Sequence, residues 1–271
     1  MPEAPAVPRD AATVLLLRAA DPGPVEVYLL RRVRGMPFAG GMTAYPGGSV
    51  DPRDADVHPG WIGPSPAVWA ESFGCTERLA RALVCAAVRE TFEESGVLLA
   101  SPSGGDVVVA DDVEWEARRQ ALLARELSLG GLLEAQELTL RADLLRPWAH
   151  WITPVDEPRR YDTRFFVAAL PVGVQARDVS GEADEAVWVT PVEALAQYDR
   201  GDRAMLAPTL YTLRDVARHG SVTDVLAAAP PGRLERVQPR LEYDETGEFV
   251  VMPDGSRMRP PIRLGRGRAA R

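Results

Sequence analysis

The chain has 271 residues, of which 46% are hydrophobic and 26% charged. That balance excludes collagen-like, coiled-coil and low-complexity chains and predicts a folded domain with a sizeable core. Its formal net charge of −8 argues against binding nucleic acid or an anionic membrane, since both require a basic surface.

No apolar run approaches the ~18 residues of a membrane span. The early apolar run 14–17 ends at Arg18 and follows no basic segment, unlike a secretory leader. Two cysteines, Cys75 and Cys85, make neither a disulfide framework nor a zinc site, and reduced thiols predict a cytoplasmic protein. Besides its three histidines, every basic residue is arginine, 31 in all. Alongside the abundant Ala, Gly and Pro, this points to a GC-rich bacterial genome rather than to function.

Residues 1–10 are polar and proline-rich, a flexible lead-in. The apolar runs 12–17 and 25–30 flank turn residues and read as a strand pair. The glycine-rich stretch 35–48 reads as loop and strand end. Segment 52–74, with Pro52, Pro59, Pro64 and Pro66, is a poor helix candidate. Thr76 caps a helix that starts near Glu77 and ends near Gly96, with Leu79, Leu83, Val84, Ala87 and Val88 as its apolar stripe. A short strand is predicted at 107–109, and helices at 112–127 and 129–137 separated by Ser128. Strands follow at 148–153, 163–170 and 186–189. Helices at 191–198 and 208–219 open on Pro191 and Pro208, and 222–228 is a last short helix. Runs 241–244 and 248–252 form a hairpin around Glu245-Thr246-Gly247. The arginine-rich, acid-free tail 256–271 reads as a solvated end or a contact for phosphates or an acidic face. Interleaved strands and helices define an α/β domain.

The stretch Arg89-Glu90-Thr91-Phe92-Glu93-Glu94-Ser95-Gly96-Val97 carries the chemistry. On a helix, Glu90, Glu93 and Glu94 stand at i, i+3 and i+4, with Cβ atoms about 5–6 Å apart on one face. Their crowding near a helix C-terminus is unfavourable without counter-charge. A hard divalent cation, Mg²⁺ or Mn²⁺, supplies it together with substrate phosphates. The bland alternative is an acidic, solvated helix end. Arg89 can hold one carboxylate in a bidentate contact.

The order of these residues resembles the REUxEExGU half of the Nudix box. Tyr45-Pro46-Gly47-Gly48 resembles the segment that opens the box, and 185–195 is similar to the family's late strand and helix. The sequence is identified on these grounds as a member of the Nudix hydrolases. The resemblance implies a Nudix fold, a mixed sheet sandwiched between helices, here with helical insertions and a C-terminal hairpin. The corresponding divisions are a Nudix domain over 11–220, insertions near 52–74 and 112–137, and an extension over 221–271.

It also implies Mg²⁺- or Mn²⁺-dependent hydrolysis of a nucleoside-diphosphate-linked small molecule. Glu90, Glu93 and Glu94 map to the metal positions and Arg89 to the arginine that orients a glutamate. Gly47 and Gly48 form the loop beside the pyrophosphate. Gly48 and Arg89 are 41 positions apart, so an insertion splits the box. The acid expected ahead of the arginine falls at Arg81. Glu77 either takes its place after the shift or serves only the helix N-terminus. The split box is similar to the acyl-CoA diphosphatase branch, which implies CoA or acyl-CoA as substrate. Another Nudix substrate and a non-catalytic nucleotide sensor are the alternatives.

Arg159, Arg160 and Arg164 either bind substrate phosphates or pair with Asp156, Glu157 and Asp162. Trp148, Trp151, Tyr161 and Phe165 line either a ligand pocket or the core. No order of His58, His150 and His219 suggests a catalytic histidine. The proton acceptor is either a box glutamate or an acid in 181–185. The segment 112–137 either caps the site or forms a homodimer face, and the C-terminal extension either supports the core or binds a partner.

Overall fold

The computed structural model describes residues 4–20, 23–33, 35, 39–56, 60–103, 105–177 and 183–261. Strands β1 (Arg9–Ala19) and β2 (Val25–Arg32) form the expected antiparallel pair. Val14 and Leu16 enter one core and Leu15 and Leu17 the other, all fully buried. This two-sided burial explains why the run is continuously apolar rather than alternating. Short strands β3 (Thr43–Ala44) and β4 (Gly47–Ser49) pair with β2 and β1 respectively.

Segment 52–74 is more regular than its prolines suggest. It forms α1 (Pro52–Asp56), β5 (Gly60–Ile62) and α2 (Pro66–Phe73). Pro52 and Pro66 open their helices, where a missing N–H costs nothing. Gly74, at φ 61, closes α2 in the left-handed region. Helix α3 (Glu77–Ser95) begins and ends as its sequence indicates. Thr76 Oγ1 accepts from the Leu79 N–H at 3.3 Å, and Gly96 at φ 72 donates to the Phe92 carbonyl. Four residues of the predicted stripe are fully buried and Leu79 partly so.

β6 (Ala100–Pro102) follows. The strand expected at 107–109 is absent: Val108 donates one bond to the Ala100 carbonyl but gains no ladder. Helices α4 (Val113–Leu123) and α5 (Leu129–Ala135) are capped by Asp112 and Ser128. Strand β7 (Leu138–Arg141), which pattern reading missed, joins β5 and β6 in a small sheet. The chain continues through β8 (Leu145–Ile152), β9 (Tyr161–Ala169), β10 (Ala183–Val189), α6 (Pro191–Arg200), α7 (Ala207–Val216) and α8 (Val222–Ala227). It ends in β11 (Arg236–Val237), β12 (Arg240–Asp244), β13 (Gly247–Val251) and β14 (Arg257–Met258).

The main sheet runs β10-β2-β1-β9-β8-β11, with β3 and β4 attached to β2 and β1. Its Val14–Leu16 face packs against α2 and α3, and its Leu15–Leu17 face against α6, α7 and α8. This is the mixed sheet between helical layers that the sequence predicts. Beyond residue 220, α8 buries Val225 in the second core and β11 extends the main sheet. The expected hairpin is β12 and β13, with β14 as an unforeseen third strand.

Candidate active site

The site forms where the sheet splits. Ladder β1–β2 pairs Leu17, Arg18 and Ala19, whereas β4 occupies the same edge of β1 at Ala11, Ala12 and Thr13. The C-terminal half of α3 packs against β4 there. Two glycines make the approach possible. A Cβ on Gly47 would lie 2.6 Å from the Ala12 carbonyl, and one on Gly48 2.6 Å from a Glu90 carboxylate oxygen. The Gly47 N–H donates to Glu94 Oε2 at 2.9 Å, so the two halves of the box meet across the insertion.

The helix end is not a solvated acidic surface. Glu93 is 5% exposed and Glu94 9%. Arg89, itself buried, holds the cluster together. It donates to Glu90 at 2.8 Å, to Glu93 at 3.0 Å, to Asp54 at 3.0 Å and to the Ser49 carbonyl at 2.9 Å. Burial raises the Asp54 and Glu93 carboxyls above their usual range despite Arg89, and pushes Glu90 up to about 7. Burial alone would lower Arg89, but Glu90, Asp54 and Glu93 more than offset it and keep the guanidinium charged.

Sequence reasoning missed Asp54. It is 2% exposed and supplies Arg89 with a carboxylate from the inserted α1. Glu77 stays exposed in the first turn of α3, complementing the helix dipole, and makes no bond to Arg89.

Arg89, Glu90, Glu93 and Glu94 line a cleft of about 740 Å³, within the usual size of ligand sites. Its acids are Asp51, Glu90, Glu93 and Glu94. Asp51 is bound by Arg53, which holds its carboxyl at about 2. The end of α4 reaches the cleft through Gln120, Leu122 and Leu123, followed by Arg125. Arg119, 1% exposed, fastens α4 there by donating to the Glu93 carbonyl at 2.6 Å and to Glu116 at 2.9 Å.

Of the three candidate arginines only Arg159 lines the cleft. The alternation of β9 decides this: Tyr161, Thr163 and Phe165 face the cleft, so Arg164 faces away. Arg164 is buried against Asp162 and Asp10. Arg160, also buried, donates to the Thr153 and Ala6 carbonyls. Tyr161 and Phe165 reach the cleft, whereas Trp148 and Trp151 belong to the core. His150 bonds Asp162 at 2.6 Å, and His219 packs on Trp148. His58, Gly181 and Glu182 lie outside the described residues. Glu185 pairs with Arg31 and Arg203 and does not line the cleft. Arg125 was missed because it follows α4 without periodic signal. It is exposed, at φ 60, with no ion-pair partner among the described residues.

The donor set suits a hard cation. Three carboxylates, Asp54, Glu90 and Glu93, share one guanidinium, and Glu94 lines the same cleft; this local excess of negative charge attracts a divalent ion with oxygen ligands. Among the described residues no three acids or histidines already converge as a ligand set; Arg89 stands between Glu90 and Glu93.

A crystal structure described as a NUDIX hydrolase from Alicyclobacillus acidocaldarius superimposes with a TM-score of 0.69, at 26% identity, over 83% of this chain and 99% of that one. With the split sheet and the carboxylate helix, this places the chain among the Nudix hydrolases. The model of the NUDT19 Nudix domain matches residues 77–216, more than half of the chain, and the protein belongs to that family. A relative from Gallus gallus named acyl-coenzyme A diphosphatase NUDT19 is 27% identical, covering 93% of this chain and 80% of its own. Its namesake from Xenopus laevis is 25% identical, covering 84% and 70%. The matched region begins at Glu77; Gly47 and Gly48 lie before it and join the site through Glu94 and Glu90.

Proposed function

We propose that this Nudix hydrolase cleaves the diphosphate of CoA or acyl-CoA with Mg²⁺ or Mn²⁺, releasing 3′,5′-ADP and 4′-phosphopantetheine or its acyl form. The observation that carries the reading is the carboxylate cluster around Arg89, set in a cleft lined by two exposed arginines, Arg125 and Arg159. Neither arginine has an ion-pair partner among the described residues, and each can donate two bonds to a phosphate. The names of the Gallus and Xenopus relatives support the choice of substrate.

Glu90, Glu93 and Glu94 would hold the cation. When bound, it supplies positive charge to the diphosphate oxygens and lowers the pKa of the attacking water. Arg89 fixes Glu90 and Glu93 in position, and Gly47 and Gly48 let the loop backbone approach the diphosphate. Tyr161 and Phe165 offer aromatic surface to the adenine. Free thiols at Cys75 and Cys85 support a reducing compartment such as the cytoplasm.

A turnover panel with Mg²⁺ or Mn²⁺ tests the substrate. CoA, acyl-CoAs, ADP-ribose, NADH, diadenosine polyphosphates and dNTPs are compared by mass spectrometry. The reading predicts 3′,5′-ADP release and a higher kcat/KM for CoA or an acyl-CoA than for any other compound. Turnover confined to another diphosphate would reject CoA. The Gly48→Ala variant, whose methyl would displace Glu90, is expected to lose about 10²-fold in kcat/KM, the scale of a 1 Å misplacement. Full activity in that variant would show that Glu90 need not sit where it does.

A further inference from the structure

The geometry points to an acyl-chain pocket built by the C-terminal sheet, an assignment that rests on the CoA reading above. A second, smaller cavity of about 80 Å³ lies between the β8–β9 loop, the start of α7 and the β13–β14 pair. It shares Thr153, Leu206 and Pro208 with the main cleft, so the two adjoin, and a chain leaving the cleft past these residues would enter it. Val250 and Met258 line it from β13 and β14.

The chemistry of the walls selects one part of the substrate. Glu157 is the only ionisable residue lining the cavity among those described. A carboxylate repels the 3′-phosphate of the nucleotide half. The Thr153 hydroxyl is already engaged, donating to the Tyr161 carbonyl and accepting from its N–H, and so has little to give the amides of the pantetheine arm. What remains is aliphatic wall, rigid at its prolines and adaptable at the Met258 thioether. An aliphatic thioester chain fits these walls, and the arginines and carboxylates of the cleft are left to the diphosphate. The segment after residue 220 thereby acquires a role in substrate selection.

The test is the ratio of kcat/KM for an acyl-CoA to that for free CoA, across a series of chain lengths. The parent is expected to favour a short acyl-CoA by at least about tenfold, the effect of burying two methylenes. Met258→Trp and Ala207→Leu, which fill the cavity from opposite walls, are expected to bring that ratio close to one. A ratio near one in the parent, or a preference that survives both substitutions, would overturn the assignment. Thermal melting identifies a variant that has lost its fold, and the parent's chain-length series then decides. Failure of the CoA reading has a different signature: no 3′,5′-ADP from CoA or any acyl-CoA, with turnover of another diphosphate. That result overturns the pocket assignment as well.

Discussion

Glu93→Gln is expected to lower kcat/KM by at least about 10²-fold while the melting temperature holds or rises. The two effects share one cause. Burial already raises the Glu93 carboxyl above its usual range, so its negative charge is unfavourable in the folded chain. Glutamine keeps the shape and can still accept from Arg89, but it carries no charge to offer a cation. The helix loses electrostatic strain and the site loses a ligand. Steady-state kinetics beside a thermal melt check both halves. Parent-like turnover would remove Glu93 from the chemistry, and a sharp fall in melting temperature would show that its charge is needed for folding.

Arg89→Met is expected to cost about 3–5 kcal/mol of stability, the range for deleting one partner of a buried ion pair. The substitution leaves Asp54, Glu90 and Glu93 without their shared counter-charge and the Ser49 carbonyl without its side-chain donor. Methionine fills much of the volume, so the loss reports charge rather than a cavity. Urea denaturation measures it. A change below about 1 kcal/mol would mean that the cluster is as weakly coupled as a surface pair.

The carboxylate-bearing helix α3 was legible because its signals are local. Thr76, the spacing of Leu83, Val84, Ala87 and Val88, and Gly96 fix its ends and its face, and the three glutamates follow by position. Asp54 was not legible. It reaches Arg89 from a segment whose prolines read as loop, and the pairing exists only because β4 brings that insertion back across α3. The choice between phosphate binding and internal pairing stayed open for Arg160 and Arg164 for want of strand parity. Arg164 shares a face with Phe166, a core residue, and alternation along β9 would have turned it away from the cleft. The run 107–109 failed for a complementary reason: β-branched residues favour a strand, but no neighbour supplies a ladder. Arg125 had no signal at all, because an exposed residue after a helix obeys no period.

The most direct test of the account is hydrolysis of CoA and acyl-CoA by the purified protein with Mg²⁺ and in EDTA, followed by mass-spectrometric detection of 3′,5′-ADP. The account predicts stoichiometric 3′,5′-ADP and 4′-phosphopantetheine or its acyl form from at least one of them with Mg²⁺ and neither product in EDTA. Undiminished cleavage in EDTA would contradict the role given to the carboxylates around Arg89, and CoA and acyl-CoA both left intact in the presence of Mg²⁺ would contradict the substrate.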